Sequence, residues 1–220
     1  MSNRKNVIIL VLSHYQEPYV MLENCIKKTW ANHNLDNVKV FFYHGGQDEY
    51  IYEDKIITNY PEGYNNIGYK TIRAFEILLK GNNFDYIFRT NSSSYVNIEK
   101  LVDYLDDKPF NEFYNGIIGN HGDINFASGC GYFISKDLVE KVVENRNKWN
   151  HQFIDDVALA CLLRDIGIYP TFSKRLDIKN TPVPDNIFDY FHFRCKTIGD
   201  RTGDVRIMNE LENKLKKLKT

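Results

Sequence analysis

Six consecutive apolar residues, Val7, Ile8, Ile9, Leu10, Val11 and Leu12, stand near the start of the chain and stop abruptly at Ser13 and His14. A run without alternation has to be covered on both faces, which marks an interior strand of a helix-flanked parallel sheet. It falls far short of the ~20 apolar residues that a membrane-spanning helix needs, and no small-residue cleavage site of a secretory leader follows it. Residues 21–30 place Met21, Leu22, Cys25, Ile26 and Trp30 at helical spacing, opposite Lys27 and Lys28. Residues 37–43 then alternate through Val38, Val40 and Phe42 to a stop at His44, Gly45 and Gly46. This β-α-β opening implies parallel strands joined by a right-handed crossover. The expected class is α/β, with a mixed, mostly parallel sheet between two helix layers.

With 220 residues, 43% of them hydrophobic, the chain can bury a full core, and a single domain over residues 1–220 is expected. Its 28 basic and 29 acidic side chains leave a net charge of −1, so no global field favours nucleic acid or an anionic membrane. Any phosphate must be gripped locally. Cys25, Cys130, Cys161 and Cys195 form no paired motif and read as reduced, buried thiols. With no leader and no spanning segment, the expected setting is the cytoplasm.

Further strands are expected around residues 51–57, 85–89, 116–119, 126–134 and, at a sheet edge because of Pro170, 169–172. Helices are expected over residues 65–80, 97–105, 136–143 (capped by Ser135), 153–166 and 204–218, with a loop at 120–123 and a proline-punctuated loop at 180–189. The strand at 85–89 runs into Asn91, Ser92, Ser93 and Ser94 before resuming at Tyr95 and Val96. Asn and Ser belong where a backbone turns, and ligands of open α/β sheets sit beyond the carboxyl ends of the strands. The polar stretch at 91–94 and Ser13 both stand at such ends.

The stretch Arg89, Thr90, Asn91, Ser92, Ser93, Ser94, Tyr95, Val96, Asn97 resembles the Lys-Thr-Asp-Asp-Asp-Val-Phe-Val-Asn segment of Fringe and β-1,3-galactosyltransferase-type glycosyltransferases, with all three aspartates replaced. Three other stretches resemble the same family in the same order. Tyr64, Asn66, Lys70 and Thr71 agree with its Ser-Tyr-x-Asn-Leu-Thr-Leu-Lys-Thr helix opening. Ser128, Gly129, Cys130, Gly131, Tyr132 and onward to Leu138 follow its Cys-Ser-Gly-Gly-Gly-Tyr-Val-Leu-Ser-x-Asp-Leu string. Asp156 and Val157, leading to Gly167 and Ile168, follow its Glu-Asp-Val helix and Leu-x-x-x-Gly-Ile end. His192, Arg194 and Lys196 lie in a segment similar to the one that closes over the donor diphosphate.

The resemblance implies a Rossmann-like GT-A sandwich with a nucleotide-sugar half at residues 6–97, an acceptor half at 98–200 and a C-terminal amphipathic helix at 204–220. It implies an inverting transfer from a nucleotide sugar, a UDP-sugar above all, to a glycan or glycoconjugate. Asp156 takes the place of the catalytic base, with Asp155 to orient it. Ser13, Tyr64, Lys70, Arg89, Asn91, Ser92, Ser93, Arg194 and Lys196 become donor-side residues, and Ser128, Gly129, Cys130 and Gly131 the acceptor-side wall.

The family's aspartate loop holds a divalent cation, usually manganese. Hard cations require anionic or carbonyl oxygens, and the amide and hydroxyls of Asn91, Ser92 and Ser93 would hold Mn2+ or Mg2+ weakly. Arg89, Lys70, Arg194 and Lys196 are candidates to replace the ion, since charge-assisted bonds to phosphate serve the same end. A weak metal site at His192, helped by Asp123, and a catalytically inactive nucleotide-sugar or glycan-binding module are the alternatives. A nucleotidyltransferase is disfavoured because residues 14–18 lack a glycine-rich basic loop.

Overall fold

The computed structural model describes residues 4–217. Its first strand, β1 (Val7–Leu12), is buried from Val7 to Val11. Ile8 and Leu10 join one hydrophobic cluster, and Val7, Ile9 and Val11 join another on the opposite face. The uninterrupted apolar run therefore feeds two cores, as an interior strand must.

In chain order there follow α1 (Tyr19–Lys28), β2 (Val38–Gly45), β3 (Tyr50–Tyr52), β4 (Lys55–Thr58), α2 (Ile67–Gly81), β5 (Tyr86–Asn91), β6 (Ser94–Val96) and α3 (Ile98–Leu105). The second half contains β7 (Tyr114–His121), β8 (Ile124–Ser135), α4 (Lys136–Glu144), α5 (Asp155–Arg164), β9 (Thr171–Phe172), β10 (Leu176–Ile178), β11 (His192–Cys195) and α6 (Thr202–Lys216). Eight strands form the main sheet in the order β3-β4-β2-β1-β5-β8-β7-β9, and β10-β11-β6 form a small second sheet. Strands β4, β2, β1 and β5 run parallel, β8 turns antiparallel against β5 and β7, and β9 pairs parallel at the β7 edge. Side chains of α1, α3 and α6 pack into the cluster on one face, and those of α2, α4 and α5 into the cluster on the other.

Local chemistry accounts for most element ends. Asn97 caps α3 by accepting the Lys100 amide at 3.3 Å. Ser135 precedes α4 without capping it, because its hydroxyl bonds Asp137 Oδ1 at 2.5 Å and accepts the Phe113 amide at 3.0 Å. The strand expected near 51–57 is a hairpin, β3-β4, turned at Glu53 with φ 52°. No glycine or asparagine announces that turn. The loop expected at 120–123 is shorter, since Asn120 and His121 extend β7 and Gly122 and Asp123 alone make the turn. Residue 218 and Lys219 of the expected last helix lie outside the described residues.

The four cysteines are unbridged, with Cys25 and Cys195 buried and Cys130 and Cys161 half-buried. Among the described residues, no helix is long and apolar enough to cross a membrane.

Candidate active site

At the carboxyl ends of β1 and β5, the chain encloses a cavity of about 440 Å³. Ser13, Tyr64, Lys70, Asn91, Ser92, Ser93, Arg194 and Lys196 all line it. They arrive from four separate stretches, and the parallel arrangement of β1 and β5 is what gathers the first and third at one sheet end. The cavity draws on both halves of the chain, because β11 reaches the turn through its antiparallel pairing with β6.

Several wall residues are held by specific partners. Ser13 donates its hydroxyl proton to Glu23 Oε2 at 2.7 Å, and Glu23 is surrounded by His44 at 3.0 Å, Lys27 at 3.3 Å and Lys55 at 3.4 Å. Burial alone would raise the Glu23 pKa, but the adjacent His44 ring and the bond from Ser13 hold it down to about 2. Asn91 Oδ1 accepts the Ser93 amide at 3.0 Å and so stabilises its own turn. Its Nδ2 reaches Cys130 Sγ at 3.4 Å.

Arg201 was not among the residues singled out by sequence, yet it completes this wall. Its Nη2 donates to Ser93 Oγ at 2.8 Å, and its Nε donates to Asp204 Oδ2 at 2.6 Å. Asp204 is fully buried and accepts the Thr197 amide at 2.7 Å, so the guanidinium is aimed by an anchored carboxylate. The signal lay in the helix-start spacing of Arg201 and Asp204, which by itself looks like an ordinary solvated pair. The cavity carries four cationic side chains, Lys70, Arg194, Lys196 and Arg201, against one carboxylate, Glu62.

Lys70 is less free than its sequence position implied. It is 2% exposed, and its ammonium is paired with Glu62, which also accepts the Gly45 amide at 2.7 Å. Arg194 is held loosely, 3.8 Å from Asp177, while Lys196 is exposed.

Arg89 corrects the sequence reading. It does not line the cavity; it is 2% exposed and lies beneath the start of α5. Its Nε donates to the Tyr43 hydroxyl at 3.0 Å, Nη1 donates to the Gly129 carbonyl, and Nη2 lies 2.6 Å from Asp155 Oδ2 in an ion pair not aligned as a hydrogen bond. Burial opposes its charge, but the Asp155 carboxylate and the Tyr43 hydroxyl hold the guanidinium firmly protonated. Arg89→Met should strand the Asp155 carboxylate and cost about 3–5 kcal/mol, the usual penalty for breaking one side of a buried pair. Urea denaturation of the two proteins measures it.

Asp156, at the first turn of α5, is 8% exposed. Its Oδ2 accepts the Gly129 amide at 2.7 Å and its Oδ1 accepts the Val157 amide at 3.0 Å. Burial, and then the like charge of Asp155, raise its pKa above the usual carboxylate range, while the Gly129 amide and Arg89 pull in the opposite direction. A raised pKa is the property a carboxylate needs to take a proton at near-neutral pH.

The small residues of β8 are required by this arrangement. A Cβ on Gly129 would stand 2.8 Å from Arg89 Nη1 and 3.1 Å from Asp156 Oδ2, and one on Gly131 would meet the His192 ring at 2.1 Å. Cys130 presents its carbonyl to Thr90 Oγ1 at 2.8 Å, and Ser128 Oγ accepts the Cys130 amide at 3.4 Å. The four residues thus tie the turn after β5 to the start of α5 and lie outside the 440 Å³ cavity.

His192 and Asp123 stand in different settings, one buried and one exposed. His192 is 2% exposed, its Nε2 lies 3.1 Å from Ser94 Oγ, and its ring meets Phe88 edge-on at 5.2 Å. Burial, reinforced by Arg175 and Arg194, keeps it well below the usual histidine pKa. Asp123 sits on the exposed β7-β8 turn, paired with Arg164 at 3.1 Å. Among the described residues, no three His, Cys, Asp or Glu side chains converge to hold a metal ion.

The chain carries a galactosyltransferase-family sequence over residues 23–124. The chain is 23% identical over 202 residues to β-1,3-galactosyltransferase 1 of Homo sapiens, a match covering 74% of this chain and 61% of that protein. It is 30% identical over 155 residues to UDP-GalNAc:β-1,3-N-acetylgalactosaminyltransferase 1 of Rattus norvegicus, covering 54% and 46%. The chain thus spans less than two thirds of the length of these relatives. Among solved structures, a glycosyltransferase involved in the glycosylation of the major capsid of PBCV-1 superposes with a TM-score of 0.54 at 13% identity, covering 93% of this chain and 98% of that one. A mannosyltransferase from Pyrobaculum calidifontis, solved with GDP-Man and Mn2+, superposes with a TM-score of 0.50 at 10% identity, covering 78% and 55%. The fold is the GT-A glycosyltransferase fold.

Proposed function

We propose that this chain is an inverting glycosyltransferase that moves a sugar from a UDP-sugar to a glycan or glycoconjugate without a divalent metal. The single observation that carries the metal-independent part is the bond from Arg201 to Ser93 Oγ, which puts a guanidinium at the turn after β5. The neutral oxygens there are ill suited to Mn2+ or Mg2+, and the amide oxygen of Asn91 is already used within the turn. The names of the relatives, one of them a UDP-GalNAc enzyme, support the donor class.

In this reading the UDP diphosphate lies against Arg194, Lys196 and Arg201. Asp156 takes the proton of the acceptor hydroxyl as that oxygen bonds the anomeric carbon. The bond from that carbon to the phosphate oxygen breaks on the opposite face, and its electron pair leaves on UDP. Arg89 and Asp155 hold the start of α5 in register. The cationic wall contributes by stabilising charge that grows on the leaving group.

A non-catalytic binding module is the second reading, favoured by the pairing of Lys70 with Glu62, which removes one cation from the diphosphate. Transfer and donor hydrolysis measured over a panel of nucleotide sugars, each with Mn2+ and with EDTA, separate the readings. The expected result is turnover with a UDP-sugar that persists in EDTA. Strict metal dependence overturns the role of Arg201, and UDP binding without turnover establishes the module.

A further inference from the structure

Two further cavities lie along α2. One, about 50 Å³, is walled by Tyr64, Gly68, His151 and Asp155 among others, and adjoins the start of α5. The other, about 490 Å³, lies between Tyr60, Tyr69, Asn59, Arg146, Asn147 and the same His151. His151 is thus a shared wall. Its ring stacks on Tyr69 at 3.4 Å and 5°, and Tyr69 stacks on Tyr60 at 5.2 Å and 25°.

A buried donor lies beside Gly68, which walls the smaller of the two. Trp149 is 5% exposed, and its Nε1 has no hydrogen-bond partner among the described residues. It lies so close to Gly68 that a Cβ there would stand 2.8 Å away. A buried N–H without an acceptor is costly and calls for an explanation.

The dimensions and chemistry restrict the ligand. The cavity beside Asp155 has room for about one or two water-sized groups, so a hydroxyl-bearing arm enters it but a sugar ring does not. The larger one falls within the range of ligand sites, about 300–1,000 Å³. Its charges are already paired, Arg146 with Glu76 at 3.2 Å and Arg73 with Glu76 and Glu49. It therefore offers aromatic rings and amides without a free charge, a surface for the C–H faces and hydroxyls of neutral sugars.

We infer that the two cavities form one acceptor track, and that the acceptor is a neutral oligosaccharide whose inner units rest against the Tyr60, Tyr69 and His151 stack. This rests on the glycosyl-transfer reading and adds the class and minimum length of acceptor.

The chain's two tryptophans provide separate reporters. Trp30 Nε1 donates to the Ser94 carbonyl at 3.0 Å, beside the donor turn, whereas Trp149 Nε1 lies behind Gly68. In ¹⁵N-labelled protein the two indole signals are followed on addition of UDP, and of β-linked galactose and N-acetylglucosamine oligosaccharides of one to four units. UDP should move Trp30, and three- and four-unit sugars should move Trp149 while single sugars do not. Tyr69→Ala, at an exposed ring, should weaken the oligosaccharide response about tenfold and leave the UDP response unchanged. The inference is overturned if no oligosaccharide moves Trp149, or if Tyr69→Ala binds oligosaccharides as well as the parent. A UDP titration that leaves Trp30 unmoved would instead count against the donor site.

Discussion

Replacing Asp156 with Asn should lower kcat by about 10²–10⁴-fold, the usual contribution of a positioned general base, while leaving the protein at least as stable at neutral pH. The two halves of this expectation have one cause. Burial and the Asp155 charge raise the Asp156 pKa, so its ionised form is disfavoured in the folded state. A carboxyl whose folded pKa is raised contributes stability while protonated, and that contribution is lost as pH rises through the folded pKa. At neutral pH the native Asp156 is therefore a cost that the neutral amide avoids. Asn retains an oxygen to accept the Gly129 amide, so the local backbone stays tied. The same shift sets the pH profile: kcat/KM of the native enzyme should fall on the acid side at a pH above the ordinary carboxylate range. Initial rates over a pH series and thermal melts of both proteins test this. A variant that retains full activity would remove Asp156 from the chemistry.

Arg201→Gln should lower kcat about 10²-fold, comparable to deleting one preorganised donor to a developing anion, and should weaken UDP binding. Added Mn2+ should not restore either. Gln keeps a polar end near Ser93 but loses the charge and the fork that bonds Ser93 and Asp204 together. Because Asp204 is fully buried, the variant also loses some stability, so Arg201→Lys serves as a companion that keeps the charge. Partial recovery in Arg201→Lys, by steady-state kinetics and UDP calorimetry, identifies the electrostatic part. Recovery of Arg201→Gln by Mn2+ would show that an ion can occupy the turn and would overturn the replacement.

What is legible in the sequence depends on how far apart in the chain the interacting groups are. The six apolar residues from Val7 to Leu12 were legible as an interior strand, because double-sided burial is written directly in their lack of alternation. The turn at Asn91 was legible too, since an amide that bonds the amide proton two residues on is a local event. The hairpin at Glu53 was hidden because the residue in the left-handed region is neither glycine nor asparagine, and the β3-β4 pairing overrides its preference.

The site divides in the same way. Asp155 and Asp156 were marked by the resemblance of their helix start to the family's Glu-Asp-Val segment, but nothing local says that Arg89 lies under them; an arginine at a strand end reads equally well as pointing into the donor cavity. His192 looked available and is buried, because Gly131 on a neighbouring strand makes room for its ring. Arg201 passed unnoticed since its target, Ser93, lies 108 residues away.

Residue order alone thus determined the α/β class, the position of the polar turn at the end of β5, and the helix that begins with two aspartates, all of which depend on contacts between near neighbours in the chain. Which cation faces that turn, and which stays beneath the aspartates, depended on β11 pairing with β6 and on β8 lying against β5. Those pairings bring together groups far apart in the chain, and burial then decides which charges stay paired, a balance that only the assembled packing sets.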